Sequence, residues 1–500
     1  MTRQTMCCIL LGLTVSFYGT LSSAWSEGLP EGRENNWHQF RGPNSTGVAP
    51  NGNPPTTWDA ETNVKWKVAI PGRGSASPIV WGNHVYILTA IKTDRTADTS
   101  DITAQSARRT PARLVSDLVA QAEENQAEQS AEQAPPEGER RGRNREGRGR
   151  GRRGGRGGFG FGRSAPPTNV HKFVVLCLDR NTGETVWQQT ACEAIPHQGH
   201  HRTSGFASAS PVTDGKNLYV SFGSRGIYSY DMDGNFRWKK DLGSMRIKLN
   251  FGEGTSPALY GDTLIINWDQ EDQSFITALD ANTGDTKWKV DRDEGTTWAT
   301  PLIVPHNGRT QVIVNGTNRT RSYDLDTGEI IWECGGQAQG VVPTPVVYGD
   351  LVLCMTGHRG AALKAIPLDS TGDITDTDKI VWTRDEGTPY VPSPLLYDDL
   401  LYFTKSNNAI LTCVSAETGE VHFENKRLEG LDSLYASSVG ASDRIYISGR
   451  DGTTLVLKKG TELEILAAND IGETIDATPA IVGNQMFIRG ENHLFCISED

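Results

Sequence analysis

The chain has 500 residues, with 49 Lys and Arg against 61 Asp and Glu, for a net charge of −12. That balance argues against a nucleic-acid binder acting through its whole surface, so any basic partner site must be local. The length suggests several domains, yet closed all-β rings absorb as much chain in one unit, so internal repeats decide the domain count.

Residues 1–24 read as a signal peptide: Arg3, an apolar run from Cys7 to Leu21, then the small residues Ser22-Ser23-Ala24. A membrane-spanning anchor would need about 20 apolar residues and stronger flanking charge. The expected location is therefore exported, in the periplasm or cell envelope, with no membrane span. Residues 25–62 form an N-terminal extension, followed by a lone strand, Asn63–Val68, that has no partner nearby in sequence.

The repeat begins at Ser77-Pro78. A Ser/Thr-Pro pair before a short apolar strand recurs at Ser210-Pro211, Ser256-Pro257, Thr300-Pro301, Thr344-Pro345, Ser393-Pro394 and Thr478-Pro479, and Ser437-Ser438 is a copy without its proline. From Pro211 the prolines step by 46, 44, 44 and 49, the period of a four-stranded propeller blade. Most periods also carry an acidic turn with Gly and an aromatic residue four positions later, as in Gly183 to Trp187, Gly234 to Trp238, Gly284 to Trp288, Gly328 to Trp332 and Gly419 to Phe423. Asp and Asn favour such turns, Gly supplies positive φ, and the aromatic offers a large apolar body between sheets. Each period reads as strands A to D, A following Ser/Thr-Pro and D carrying the aromatic.

The first period is interrupted by an insert over 93–168, between strand B (His84–Thr89) and strand C (Lys172–Leu178). Thr110–Gln133 suits a short helix, and Gly138–Arg163 holds ten Arg alternating with Gly, a composition that buries no core and is expected to be disordered. At the C-terminus, strands A, B and C follow Thr478 without a D strand. The orphan strand 63–69 should fill that place against Leu494–Ser498 and close the ring. The expectation is an all-β, eight-bladed propeller over 63–500.

Ala278-x-Asp280-x-x-Thr283-Gly284-x-x-x-Trp288 resembles the tryptophan-docking motif of the pyrroloquinoline-quinone-like (PQQ-like) propellers. Trp37-His-Gln-Phe-Arg41-Gly-Pro43-Asn resembles a segment found at the start of exported bacterial members. The resemblance covers nearly the whole chain after residue 24 except the insert, and it implies the fold. Quinone dehydrogenases of that superfamily add two adjacent cysteines and a Glu, Asn and Asp that hold calcium. Cys177, Cys192, Cys334, Cys354, Cys413 and Cys496 form no adjacent pair and no CxxC, and no calcium set is recognisable. A binding or scaffolding role without cofactor is therefore expected, with a PQQ- and calcium-dependent oxidoreductase or a polysaccharide-active enzyme as alternatives.

The loops joining B to C and D to A should share one face of the ring. The B to C loops place Arg225, Arg319 with Arg321, Arg359, Lys405, Arg450 and Arg489 there. The D to A loops add Arg73, His201, Asn250, Glu253, Trp298, Tyr390, Tyr435 and Asp476. Cations converging beside aromatics would make a site for an anionic ligand, and an ordinary polar loop surface is the other reading. A protein or an anionic polysaccharide is the expected partner, and the chain is expected to be a monomer. His197-x-x-His200-His201 has the imidazole density of a metal site but reads first as a polar loop.

Overall fold

The computed structural model describes residues 28–96 and 167–499. The signal-peptide reading and the helical and Arg-rich parts of the insert fall outside the described residues. Strand B of the first blade runs further than expected, over His84–Thr96, and strand C begins at Asn169. The two pair from His84↔Asp179 to Thr96↔Asn169, so residues 93–96 belong to the ladder and not to the insert.

Eight sheets form the ring, each an antiparallel meander of four strands. Blade 3 shows the pattern: Ala258–Tyr260, Thr263–Trp268, Ser274–Asp280 and Thr286–Arg292 lie side by side in chain order. The middle strands are buried on both faces and the outer strand alternates, because neighbouring blades cover the second and third strands from either side. Blade 4 carries a fifth strand, Gly372–Asp373, parallel to its outer strand Ile330–Gly335. Closure follows the strand count: Val64–Ala69 pairs antiparallel with His493–Ile497, and Trp66 faces Cys496. The last blade is therefore built from both ends of the chain, which removes two free edges.

Two recurrent contacts hold blade to blade, and they account for both sequence landmarks. On the outside, the tryptophan of one blade lies on the glycine turn of the next. The indole N–H groups of Trp66, Trp187, Trp238 and Trp288 donate to the carbonyls of Arg180, Met232, Ala281 and Leu325 at 2.7–3.0 Å. A Cβ on Gly284, whose φ is +77°, would sit 2.7 Å from the Trp238 ring, so the turn needs glycine for its dihedral and for the ring above it. Where the turn is stretched, between blades 4 and 5, Gln311 bridges the gap. It accepts from the Trp332 indole at 3.1 Å and donates to the Leu368 carbonyl at 2.6 Å.

Around the axis, the Ser/Thr-Pro hydroxyls form a second set of latches. The amides of Ser77, Ser210, Thr344, Ser393 and Ser437 donate to the hydroxyls of Ser210, Ser256, Ser393, Ser437 and Thr478 in the following blade, at 2.9–3.0 Å. Proline holds the preceding residue extended, which aims its hydroxyl at the neighbour.

The extension is part of the ring and crosses its axis. Trp37 bridges to Val80 of blade 1, and the Thr213 amide of blade 2 donates to the His38 carbonyl. The chain then reaches blades 6 and 7, where Val48 bridges to Gly440 and the Leu396 amide donates to Thr46. Between these anchors Arg41 is fully buried, donating to the carbonyls of Ser438, Thr46 and Pro394. With no carboxylate beside it, desolvation lowers its pKa to about 9.

Ser210→Ala leaves the buried Ser77 amide without an acceptor. It should cost about 1–3 kcal/mol of stability, read as a lower denaturant midpoint. An unchanged midpoint would show that the axial latches do not hold the ring.

Candidate functional site

Strand A of each blade lies nearest the axis, so the connections entering it converge on the mouth of the ring. They enclose a cavity of about 400 Å³. Ser77, Ser210, Ser256, Thr300, Ser393, Ser437 and Thr478 line it deep down, and Phe40 of the crossing segment joins them. The crossing segment contacts the A strands of blades 1, 2, 6 and 7, and residues of the D to A connections supply most of the rest of the lining.

Half-buried aromatic rings form the upper wall. Trp298 is fixed by its indole N–H on the Gly252 carbonyl at 2.8 Å and by its amide on Val341. Tyr390 stacks on His358, with centroids 4.3 Å apart and planes at 22°. Tyr435 carries the Arg450 guanidinium 4.4 Å above its ring. Phe251 meets the edge of His201, and His201 shares a 2.6 Å hydrogen bond with Thr203. Burial lowers the pKa of both His200 and His201, which keeps the rings neutral at pH 7. Among the described residues, no group of three or more His, Cys, Asp or Glu stands in metal-holding proximity.

Two carboxylates reach the cavity, and both are engaged. Glu253 turns inward and accepts from the Ser224 amide at 2.6 Å and from the Ser224 hydroxyl. Burial raises its pKa against those hydrogen bonds. Asp476 accepts from Arg450 through both oxygens, at 2.5 and 3.4 Å, and burial again raises its pKa.

Trp298, Tyr390, Glu253, Tyr435, Asp476 and His201 are thus brought together, as the sequence suggested. The cations are not. Among the described residues, no Arg or Lys lines the axial cavity. Arg225 lines a crevice between blades and donates to the Ile195 carbonyl. Arg319 and Arg321 lie on the third strand of blade 4, Arg319–Asp324, and not on its B to C loop; Arg319 reaches outward to Asp373 at 2.8 Å and Glu333 at 3.3 Å, and Arg321 joins Asp293, Glu294 and Glu333. Lys405 and Arg359 are exposed, and Asn250 caps a turn with φ of +55°. The physical reason is radial: a B to C loop joins the second and third strands from the axis. Its cation finds a local carbonyl or carboxylate before it finds the centre. Arg450 and Arg489 do meet, with Arg73 and Arg202, at a smaller cavity of about 200 Å³ beside the first.

Sequence reasoning missed Phe40, Phe251, His358 and the hydroxyl belt. The belt was legible in the Ser/Thr-Pro repeat, and Phe40 lay inside the Trp37–Asn44 segment. Nothing in the sequence pointed to His358.

These features define an eight-bladed propeller with an axial cavity. The family model described as outer membrane protein assembly factor BamB matches residues 171–425, just over half of the chain, and the chain belongs to this PQQ-like propeller family. A search of curated proteins finds no match. Among solved structures, the quinohemoprotein alcohol dehydrogenase of Comamonas testosteroni is similar over 93% of this chain and 80% of its own, with a TM-score of 0.53 at 9% identity. Alcohol dehydrogenase ADHIIG of Pseudomonas putida HK5 gives 0.51 at 10% identity over the same shares. BamB of Moraxella catarrhalis gives 0.48 at 16% identity, over 67% of this chain and 93% of its own. At these identities the likeness is one of fold.

The raised pKa of Glu253 carries a sign. The folded chain holds this proton more tightly than the unfolded chain, so ionisation subtracts stability as pH rises from the ordinary 4.5 through the raised value. In Glu253→Gln that descent should shrink, measured as the slope of Tm from about pH 4 to about pH 7. Identical slopes would show that Glu253 titrates as an exposed carboxylate.

Proposed function

We propose that this protein is an exported binding propeller whose axial cavity takes a polyhydroxylated ligand, such as the end of a polysaccharide, from the face of the D to A loops. The observation that carries the reading is the lining itself: half-buried rings of Trp298, Tyr390 and Tyr435 above a belt of Ser and Thr hydroxyls. Rings left partly exposed in a concave site stack on the C–H faces of sugars, and hydroxyls answer sugar hydroxyls. Residues 1–24 and the family's description as an outer-membrane assembly factor support an envelope location.

The residues present do not fit a calcium-bound quinone. Glu253 and Asp476 are committed to Ser224 and Arg450, and the six described cysteines are unpaired. Burial pushes the thiols of Cys177, Cys413 and Cys496 up to about 12, as expected of small residues packed in strands. The same commitments argue against Glu253 and Asp476 as a hydrolytic pair, since neither carboxylate has both oxygens available to a substrate.

Trp298→Ala and Tyr390→Ala should each weaken binding of an oligosaccharide fragment of an envelope polysaccharide by about tenfold or more, measured by calorimetry, with the melting transition little changed. Unchanged affinity in both variants would overturn the axial reading. Reconstitution with pyrroloquinoline quinone and calcium should leave no stoichiometric quinone absorbance after dialysis. Retained quinone with calcium-dependent alcohol oxidation would restore the oxidoreductase reading.

A further inference from the structure

The smaller cavity lies where the closing blade meets the first, and its charges do not balance. Arg73 comes from the connection that enters blade 1 and Arg202 from the connection that enters blade 2. Arg450 comes from the B to C loop of blade 7, and Arg489 is the last residue of strand B (Gln485–Arg489) in blade 8, not a loop residue as the sequence suggested. Four guanidiniums face two carboxylates, Asp476 and Glu491. Asp476 is already paired with Arg450, and Glu491 stands 3.9 Å from Arg73 across a surface where both side chains are about half exposed. Within the cavity that leaves the exposed Arg202 and the buried Arg489 without a counter-charge.

Arg489 is the informative residue. It is 3% exposed, and its one hydrogen bond to the protein runs from Nη1 to the Leu88 carbonyl at 2.6 Å. Its Nε is buried without a partner. A guanidinium taken out of water needs an anion or a full set of acceptors, and this one has a single carbonyl. Desolvation alone lowers its pKa to about 10, with no carboxylate to oppose it. If Arg489 served only to tie blade 8 to Leu88 of blade 1, a neutral donor would do so without burying a charge. The cavity it lines also shares Ser75, Thr203 and Asp476 with the axial cavity, so one ligand can occupy both.

We infer that the pocket formed by Arg489, Arg73, Arg202 and Arg450 is an oxyanion subsite that reads a carboxylate or sulfate carried by the ligand of the axial cavity. The inference rests on the axial reading for its ligand class, which becomes an acidic saccharide, while the anion pocket itself stands on the arginines. Planar guanidiniums pair with carboxylate and sulfate oxygens two at a time, and a pocket with surplus positive charge selects acidic over neutral sugars.

Two probes separate the pocket from the axial cavity. The first is inorganic sulfate, titrated calorimetrically against sodium chloride of equal ionic strength. The full chain should bind it saturably, and the exposed-residue variant Arg73→Gln and the buried-residue variant Arg489→Met should each weaken it by about tenfold. Because Arg73 is exposed, its variant reports on binding even where Arg489→Met disturbs the fold. Sulfate binding that is absent, or equal in the parent and Arg73→Gln, would overturn the subsite. The second probe is a pair of trisaccharides, trigalacturonate and its neutral counterpart galactotriose. The acid should bind about tenfold more tightly, a preference that Arg73→Gln reduces to about twofold or less and that added salt weakens. Equal affinity for the two sugars would overturn the subsite and leave the axial cavity standing. Sulfate bound at the arginines, with neither sugar bound, would support the anion pocket and overturn the axial reading.

Discussion

The structure depends on one contact made again at each seam, the burial of one blade's face against the next. A four-stranded meander covers neither of its own faces, so every blade is stable only between neighbours. The indole on the glycine turn gives that seam its register at the rim, and the Ser/Thr hydroxyl on the next amide gives it register at the axis. Both are hydrogen bonds between groups removed from water, where a missing partner costs more than the bond itself contributes. The repeat therefore keeps these two features and varies nearly everything else.

A ring fixed at rim and axis has an open centre, and the extension resolves it. From Trp37 to Gly52 the chain passes from blades 1 and 2 to blades 6 and 7, with Arg41 held among carbonyls in the middle. A buried cation bonded only to carbonyls is an expensive fastener. It is well suited to this place, because its planar fork reaches carbonyls of two different blades and of its own segment at once. Gly47 lets the chain turn over it: a Cβ there would stand 2.8 Å from the guanidinium. Phe40 of this segment stands among the lining residues of the axial cavity.

The charges follow the geometry of the ring and not their order in the sequence. Cations on and beside the B to C loops begin two strands from the axis, and Arg319 and Arg321, on the third strand of blade 4, are drawn into ion pairs with acids of their own region. Blades 3 and 4 bury such a network completely, with Arg292 on Asp269 at 2.7 Å and on the Tyr323 hydroxyl at 2.6 Å. Where blade 8, itself closed by Val64–Ala69, meets blade 1, the cationic side chains outnumber their acidic partners.

The sequence by itself determined the period, the blade count, the strand order and the pairing of residues 63–69 with the C-terminal strand. All of these follow from patterns one repeat long, or from a count of strands that must leave no free edge. It also put Trp298, Tyr390, Glu253 and Asp476 on connections that converge, because strand A is innermost in any propeller, while Arg73 and Asn250 of the same set stay outside the axial cavity. Only the tertiary structure decided that the Trp37–Asn44 segment spans the axis, that the Ser/Thr hydroxyls latch one blade to the next, and that Arg225, Arg319 and Arg321 find their partners away from the axial cavity. Those outcomes depend on contacts between residues hundreds of positions apart, such as Arg41 with Ser438 or Arg489 with Leu88. No local pattern encodes them, since whether a guanidinium finds a carbonyl, a carboxylate or an open cavity is set by how far from the axis its loop emerges.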